Sequence, residues 1–206
     1  MTAPDARGAV TAIVLAGGRA ARFGRDKLAE SVDGRPLLEH VLASVAGVAT
    51  DVVVVRPPDG PSSPMTSGRI IRDPEPFGGP LVGVLAGLEA AHEPIALVVA
   101  GDMPRLAPAV LRLLVRSLES GDPDDVDAVN LSGRGRIQPL PIAVRTGAGT
   151  TAARHALGRE ARSLMAWLDA LRVRTLSEQE WRVLDPDEAT LIDIDRPGDL
   201  ERLRPR

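Results

Sequence analysis

The sequence predicts an α/β protein with a mostly parallel sheet and helices on both of its faces. Two observations carry that reading. Short β-rich runs alternate with helical patterns along the chain. Several runs, among them Val52-Val53-Val54-Val55 and Ile95-Ala96-Leu97-Val98-Val99-Ala100, are apolar throughout and do not alternate. Strands covered on both faces read that way. With 206 residues, the chain can bury a full core, and it is read as one domain over 1–206.

The elements follow in order. A first strand is expected at 10–15, and the adjacent Gly17 and Gly18 come straight off its end. A helix is expected at 37–45, with Pro36 just inside its start, where a missing N–H costs nothing. Strands at 51–55 and 69–71 flank a stretch at 57–68 rich in Pro and Ser, which reads as a mobile surface loop. A helix at 81–91, a strand at 95–100 and a helix at 107–118 come next. Strands at 128–131 and 140–144, helices at 150–157 and 164–171, a strand at 190–192 and a final helix at 197–203 complete the pattern. The chain shows no internal repeat, coiled coil or low-complexity tail.

Composition narrows the function classes. There are 25 Lys and Arg against 28 Asp and Glu, a formal net charge of −3. Nonspecific nucleic-acid binding is not expected from that balance. Two Phe, two Trp and no Tyr leave few stacking platforms for single strands. The absence of Cys excludes disulfides, a thiolate nucleophile and Cys-ligated zinc. His40, His92 and His155 are isolated in sequence and read as surface helix residues rather than a metal cluster. Asp5 and a short apolar run from Val10 resemble neither a signal peptide nor a membrane span, so a cytoplasmic protein is expected.

The segment from Leu15 to Lys27 is the strongest signal. After the first strand come Leu15-Ala16-Gly17-Gly18, then the cations Arg19, Arg22 and Lys27, with Gly24 among them. Glycines let backbone N–H groups approach phosphate oxygens, and Arg and Lys neutralise the charge. The spacing fits neither a Walker A loop nor a Gly-x-Gly-x-x-Gly fingerprint. In an open parallel sheet, ligands bind beyond the carboxyl ends of the strands. Gly17-Gly18, Asp73 and Asp102 each follow an expected strand, so all are expected along one edge.

Asp102 stands in Val98-Val99-Ala100-Gly101-Asp102-Met103-Pro104. A carboxylate after an apolar strand is expensive to bury without a cation. It reads either as a Mg²⁺ ligand, with substrate phosphates and water completing the shell, or as a cap for the helix that follows. Asp193 and Asp195 are expected at a strand end from which only one enters a site with Asp102. Asp195, nearer the terminus, is the expected second ligand, with capping of the final helix as its other reading. Gly78-Gly79-Pro80 leads into a helix, and a Gly-rich helix entry suits a second anionic substrate. Gln138 enters a strand behind Gly133-Arg134-Gly135-Arg136 and is read as a pocket residue.

Together these blocks resemble the MobA-like nucleotidyltransferases. The resemblance runs through Leu15-Ala16-Gly17-Gly18, Arg22, Gly24, Asp26-Lys27, Gly79-Pro80-Leu81-Val82-Gly83, Gly101-Asp102-Met103-Pro104, Gln138-Pro139-Leu140 and the block from Asp193 to Leu200. They occur in family order over nearly the whole chain. The Gln-Pro-Leu and Gly-Pro-Leu-x-Gly blocks are most similar to the molybdenum cofactor guanylyltransferase branch, which joins GMP from GTP to molybdopterin and releases pyrophosphate with Mg²⁺.

The resemblance implies a three-layer, Rossmann-like nucleotidyltransferase (GT-A-like) fold. It implies that Leu15, Ala16, Gly17, Gly18, Arg19 and Asp73 bind the nucleotide, with Lys27 and Arg22 on its phosphates. Asp102 and Asp195 would hold Mg²⁺, and Gly79, Gly83 and Gln138 would meet the acceptor. The partners implied are GTP and molybdopterin, with no nucleic acid or membrane, in a monomer or weak homo-oligomer. The branch usually has an Asn-x-Asn pair where this chain has Asp193 and Asp195. Val55 or its neighbour sits where an Asn is expected, and Ala20 and Ala21 stand where Ser is frequent. These departures bear on nucleotide choice, so cytidylyl or adenylyl transfer, or guanylyl transfer to another small phosphorylated acceptor, stays open. So does a catalytically silent nucleotide-binding regulator.

Overall fold

A computed structural model of the chain describes residues 9–17, 27–59, 65–75, 78–196 and 198–199. The expected loop at 57–68 lies partly outside them, and so does the final helix expected at 197–203.

The chain enters through β1 (Val10–Leu15) and, after Lys27 to Ala29 as a 3-10 turn, forms a small hairpin of β2 (Ser31–Val32) and β3 (Arg35–Pro36). Then come α1 (Leu37–Ala46), β4 (Asp51–Arg56), β5 (Arg69–Arg72), α2 (Pro80–Ala90), β6 (Ile95–Ala100) and α3 (Pro108–Glu119). The second half holds β7 (Ala128–Gly133), β8 (Arg136–Arg145), α4 (Thr146–Gly158), α5 (Leu164–Leu168), β9 (Val173–Leu176) and α6 (Glu178–Trp181).

Seven strands form one sheet in the order β5-β4-β1-β6-β8-β7-β9. β1 lies parallel to β4 and β6, β4 to β5, and β7 to β9. β8 runs antiparallel to β6 on one side and β7 on the other, so it alone is reversed. The carboxyl ends of β5, β4, β1 and β6 therefore meet on one edge.

The unbroken apolar runs have the expected cause. In β4, Val52 and Val54 pack with α1 and α3 through Leu38, Val41, Leu111 and Leu114. Val53 and Val55 pack on the opposite face with α2, α4 and α5, through Leu81, Val84, Ala153 and Trp167. Three layers result. On the second face Gly87 lets α2 press against β1, since a Cβ there would stand 2.4 Å from Ile13 Cγ2. Among the described residues, no helix is long and apolar enough to cross a membrane.

Three expectations are corrected. Residues 190–192 are not a strand: Ala189–Leu191 is a 3-10 turn. Asp185 accepts from the amides of Ala189 and Thr190 at 3.1 and 2.7 Å, which winds the chain. The buried Thr190 hydroxyl in turn accepts from Ala107 N–H at 3.1 Å, just before α3. β9 and α6 were not expected, and both are short. His92 lies in the turn after α2, not on a helix, and His40 Nε2 lies 2.7 Å from the Val32 carbonyl.

Candidate active site at the carboxyl edge of the sheet

Backbone hydrogen bonds carry the strand ends onward as a set. Ala16 N–H donates to the Val55 carbonyl at 2.8 Å, Gly101 N–H to Leu15 at 2.9 Å, and Asp73 N–H to Arg56 at 2.8 Å. These contacts fix Leu15, Ala16, Gly17, Asp73 and Asp102 along one edge, as expected. Gly18, Arg19 and Arg22 lie outside the described residues.

Lys27 reaches this edge from a short turn with two anchors. Leu28 is buried, and its side chain lies beside Gly101. Leu37 N–H donates to the Glu30 carbonyl at 2.9 Å, which ties the turn to α1. Lys27 Nζ donates to Asp102 Oδ2 at 2.6 Å and to the Ile194 carbonyl at 2.9 Å. Asp195 Oδ1 stands 4.0 Å from the same nitrogen. The Lys27 and Asp102 side chains are about one-fifth exposed, at 20% and 21%, so the pair is reachable but shielded.

The segment at 192–195 crosses in front of Asp102. Ile194 N–H donates to the Asp102 carbonyl at 3.0 Å. The Ile194 side chain is fully buried with Val32 and Leu37. This corrects the expected strand end: Asp193 and Asp195, two residues apart, both lie exposed, and Ile194 between them points inward. Asp199 Oδ2 then accepts from the Asp195 and Arg196 amides at 3.1 and 2.8 Å.

Asp73 forms a second cluster, three strand positions from Asp102, roughly 14 Å by ordinary strand spacing. Its Oδ1 accepts from Glu75 N–H at 3.0 Å. Burial pushes its carboxyl above the ordinary value, outweighing that hydrogen bond. A Cβ on Gly83 would lie 3.6 to 3.8 Å from Val55, Leu15 and Asp73. Gly83 is buried, so the Asp73 carboxylate lies close against this turn of α2 beside Leu15 and Val55. Gly79, at φ 92°, has its Cα face against Arg162, where a Cβ would meet Arg162 Cβ at 2.9 Å.

Two expectations change here. The α2 amino terminus is not fully open to an anion, because Leu81 N–H donates to the Arg162 carbonyl at 3.3 Å. Arg162, which sequence reading missed, also pairs with Glu75 at 2.7 Å. Gln138 does not face a pocket with its amide nitrogen. It is buried, donates to the Gly133 carbonyl at 2.7 Å, and accepts Asn130 Nδ2 on its own carbonyl at 3.1 Å. It braces the β7–β8 hairpin.

The donor set fits a hard divalent cation. Two carboxylates and a carbonyl already surround an ammonium, and Mg²⁺ takes oxygen ligands of this kind. Among the described residues, no group of three or more His, Cys, Asp or Glu side chains gathers. A cation here would therefore also need substrate phosphates.

A Gly-ended β1, a lysine and an aspartate on the carboxyl edge of a mostly parallel sheet define a nucleotidyltransferase. Residues 12–174 match the family model for the MobA-like NTP transferase domain, and the chain belongs to that family. It is similar to a probable molybdenum cofactor guanylyltransferase of Chloroflexus aggregans, 32% identical over 93% of this chain and 92% of that one. It is also 32% identical to the molybdenum cofactor guanylyltransferase of Desulfosudis oleivorans, over 94% of each chain. The fold matches molybdopterin-guanine dinucleotide biosynthesis protein A of Archaeoglobus fulgidus, with a TM-score of 0.74 at 23% identity over 94% of this chain and 96% of that one. It also matches 2-C-methyl-D-erythritol 4-phosphate cytidylyltransferase of Thermus thermophilus, with a TM-score of 0.66 at 22% identity over 93% and 95%.

Proposed function

We propose that this chain transfers GMP from GTP to molybdopterin in the cytoplasm and releases pyrophosphate. The observation that carries the reading is Lys27 Nζ at 2.6 Å from Asp102 Oδ2, on the strand edge that also presents Leu15, Ala16 and Gly17. The names of relatives 32% identical over nearly the whole chain support the choice of substrates.

In this reading the acceptor's phosphate oxygen forms a bond to the α-phosphorus of GTP. The bond from that phosphorus to the bridging oxygen breaks, and pyrophosphate leaves with the electron pair. The nucleophile is already anionic, so no side chain need remove a proton. Lys27 neutralises charge gathering on the phosphoryl oxygens, and Leu15 to Gly18 position the nucleotide with Arg19 and Arg22. Asp73 receives a further group of the nucleotide. Asp102 and Asp195 would hold Mg²⁺, which supplies charge neutralisation on the phosphates when bound.

The test is pyrophosphate release with Mg²⁺, molybdopterin and each of GTP, CTP and ATP in turn. Release with GTP alone is expected. Release with CTP or ATP alone would move the chain to a sister activity. Binding without turnover of any nucleotide would favour a silent regulator and overturn the proposal.

A further inference from the structure

Three oxygens converge on one nitrogen at the site. Asp102 Oδ2 and the Ile194 carbonyl accept from Lys27 Nζ at 2.6 and 2.9 Å, and Asp195 Oδ1 stands at 4.0 Å. The cage is more firmly built than its occupant. Asp102 follows a central strand, and its own carbonyl accepts from Ile194 N–H at 3.0 Å. Ile194 is anchored by a fully buried side chain between Val32 and Leu37. Lys27, by contrast, is a point charge on a flexible stem that can turn to another anion.

We propose that Lys27 is a built-in competitor of the divalent cation and that the Ile194 carbonyl is the third oxygen of their shared cage. An ammonium held on these oxygens repels a divalent cation at the same place and takes lone pairs that the cation would use, so occupancy by one weakens binding of the other. A nucleotide's phosphates offer Lys27 a different anion. Once Lys27 turns to them, Asp102 is released to the metal. Nucleotide and metal therefore enter as a coupled pair, each tightening the other. The inference rests on the reading of Asp102 as the metal carboxylate.

The experiment is Mn²⁺ binding to the full chain without nucleotide, read by the electron paramagnetic resonance signal of free Mn²⁺. Lys27→Gln is expected to bind Mn²⁺ roughly tenfold tighter than the wild type. Lys27→Arg keeps the charge and is expected to stay near the wild type. Adding Asp102→Asn to Lys27→Gln is expected to abolish the gain. If Lys27→Gln binds no tighter while Asp102→Asn still weakens binding, the competition is refuted and the metal reading survives. If Asp102→Asn changes Mn²⁺ binding in no background, both fall. Equal gains in the Gln and Arg variants would also refute it, since space and not charge would then be the cause. On the wild-type protein, which removes any question of folding, Mg²⁺ titration is expected to shift the NMR resonance of the Lys27 ε-methylene. A resonance that stays still while Mg²⁺ binds overturns the proposal.

Discussion

At the amino edge of the sheet, Asp51 opens β4 beneath Arg69 at 3.0 Å and the Thr11 hydroxyl at 3.1 Å. At the carboxyl edge, Asp102 follows β6 beneath Lys27 at 2.6 Å. Both are carboxylate–cation pairs at strand ends, yet they differ in what the cation can do. Arg69 also donates to the Ala90 carbonyl, so its planar guanidinium ties strand to helix. Burial raises the Asp51 carboxyl, but the Arg69 and Thr11 hydrogen bonds outweigh it and the net shift is downward. Asp73, on the carboxyl edge, is left raised by burial, which the hydrogen bond from Glu75 N–H does not offset. One edge has its charges settled by the fold. The other keeps charges that a ligand can claim.

The largest expected effect breaks the functional edge alone. Asp102→Ala should lower the rate of pyrophosphate release by about a thousandfold, while the circular-dichroism melt stays close to wild type. A melt that collapses would place Asp102 with Asp51 as a structural carboxylate. Next, Gly83→Ala places a methyl beside Asp73 in ordinary contact, 3.6 to 3.8 Å from Val55, Leu15 and Asp73. We expect the nucleotide KM to rise about tenfold, worth about 1.4 kcal/mol, with little change in Tm. An unchanged KM would show that Asp73 does not receive the nucleotide.

Asp51→Asn tests the settled edge. It should cost about 1 kcal/mol at pH 7 by denaturant melts, solvent screening of the partly exposed Arg69 keeping the loss modest. The Asp51 carboxyl is lowered from 3.8, so its contribution is present above that value and lost as pH falls through the folded value. The gap between variant and wild type should therefore close below about pH 4. The smallest effect has the opposite sign. Asp73 is raised from 3.8, so its charge costs stability above the folded value, and the cost disappears below the ordinary one. Asp73→Asn keeps an acceptor for Glu75 N–H and should gain up to about 0.5 kcal/mol at pH 7, fading on acidification. A loss of stability at pH 7 would show that the charge is satisfied in the fold.

What could be read from the residues follows from where information lies in a side chain. β1, β4 and β6 were legible because both faces of each strand are buried, and the runs are apolar throughout. Asp102 was legible because a carboxylate behind Gly101 at a strand end is uncommon, and Lys27 because it closes a run of glycines and cations. Ile194 was not, because its contribution is a backbone carbonyl and amide, which any residue type supplies. Arg162 was hidden for the same reason, since it is its carbonyl that meets Leu81. Gln138 was misplaced because an amide serves a hairpin as readily as a pocket. Residues 190–192 misled because Thr, Leu and Ile suit a strand, while the deciding Asp185 caps lie outside the run. β9 was missed because only Leu176 of its four residues is fully buried, leaving little pattern to see.

The strap that carries Ile194 has a consequence in time. Lys27 and Ile194 are 167 positions apart, and their contact is among the most distant along the chain. During synthesis the lysine emerges 167 residues before the carbonyl that receives it. The sheet's central strands can pair well before then, and closing so long a loop adds its entropic cost last. A growing chain can thus have most of its architecture and none of its finished chemistry. Phosphate compounds that meet it on the ribosome would find a scaffold with its central cation still untethered.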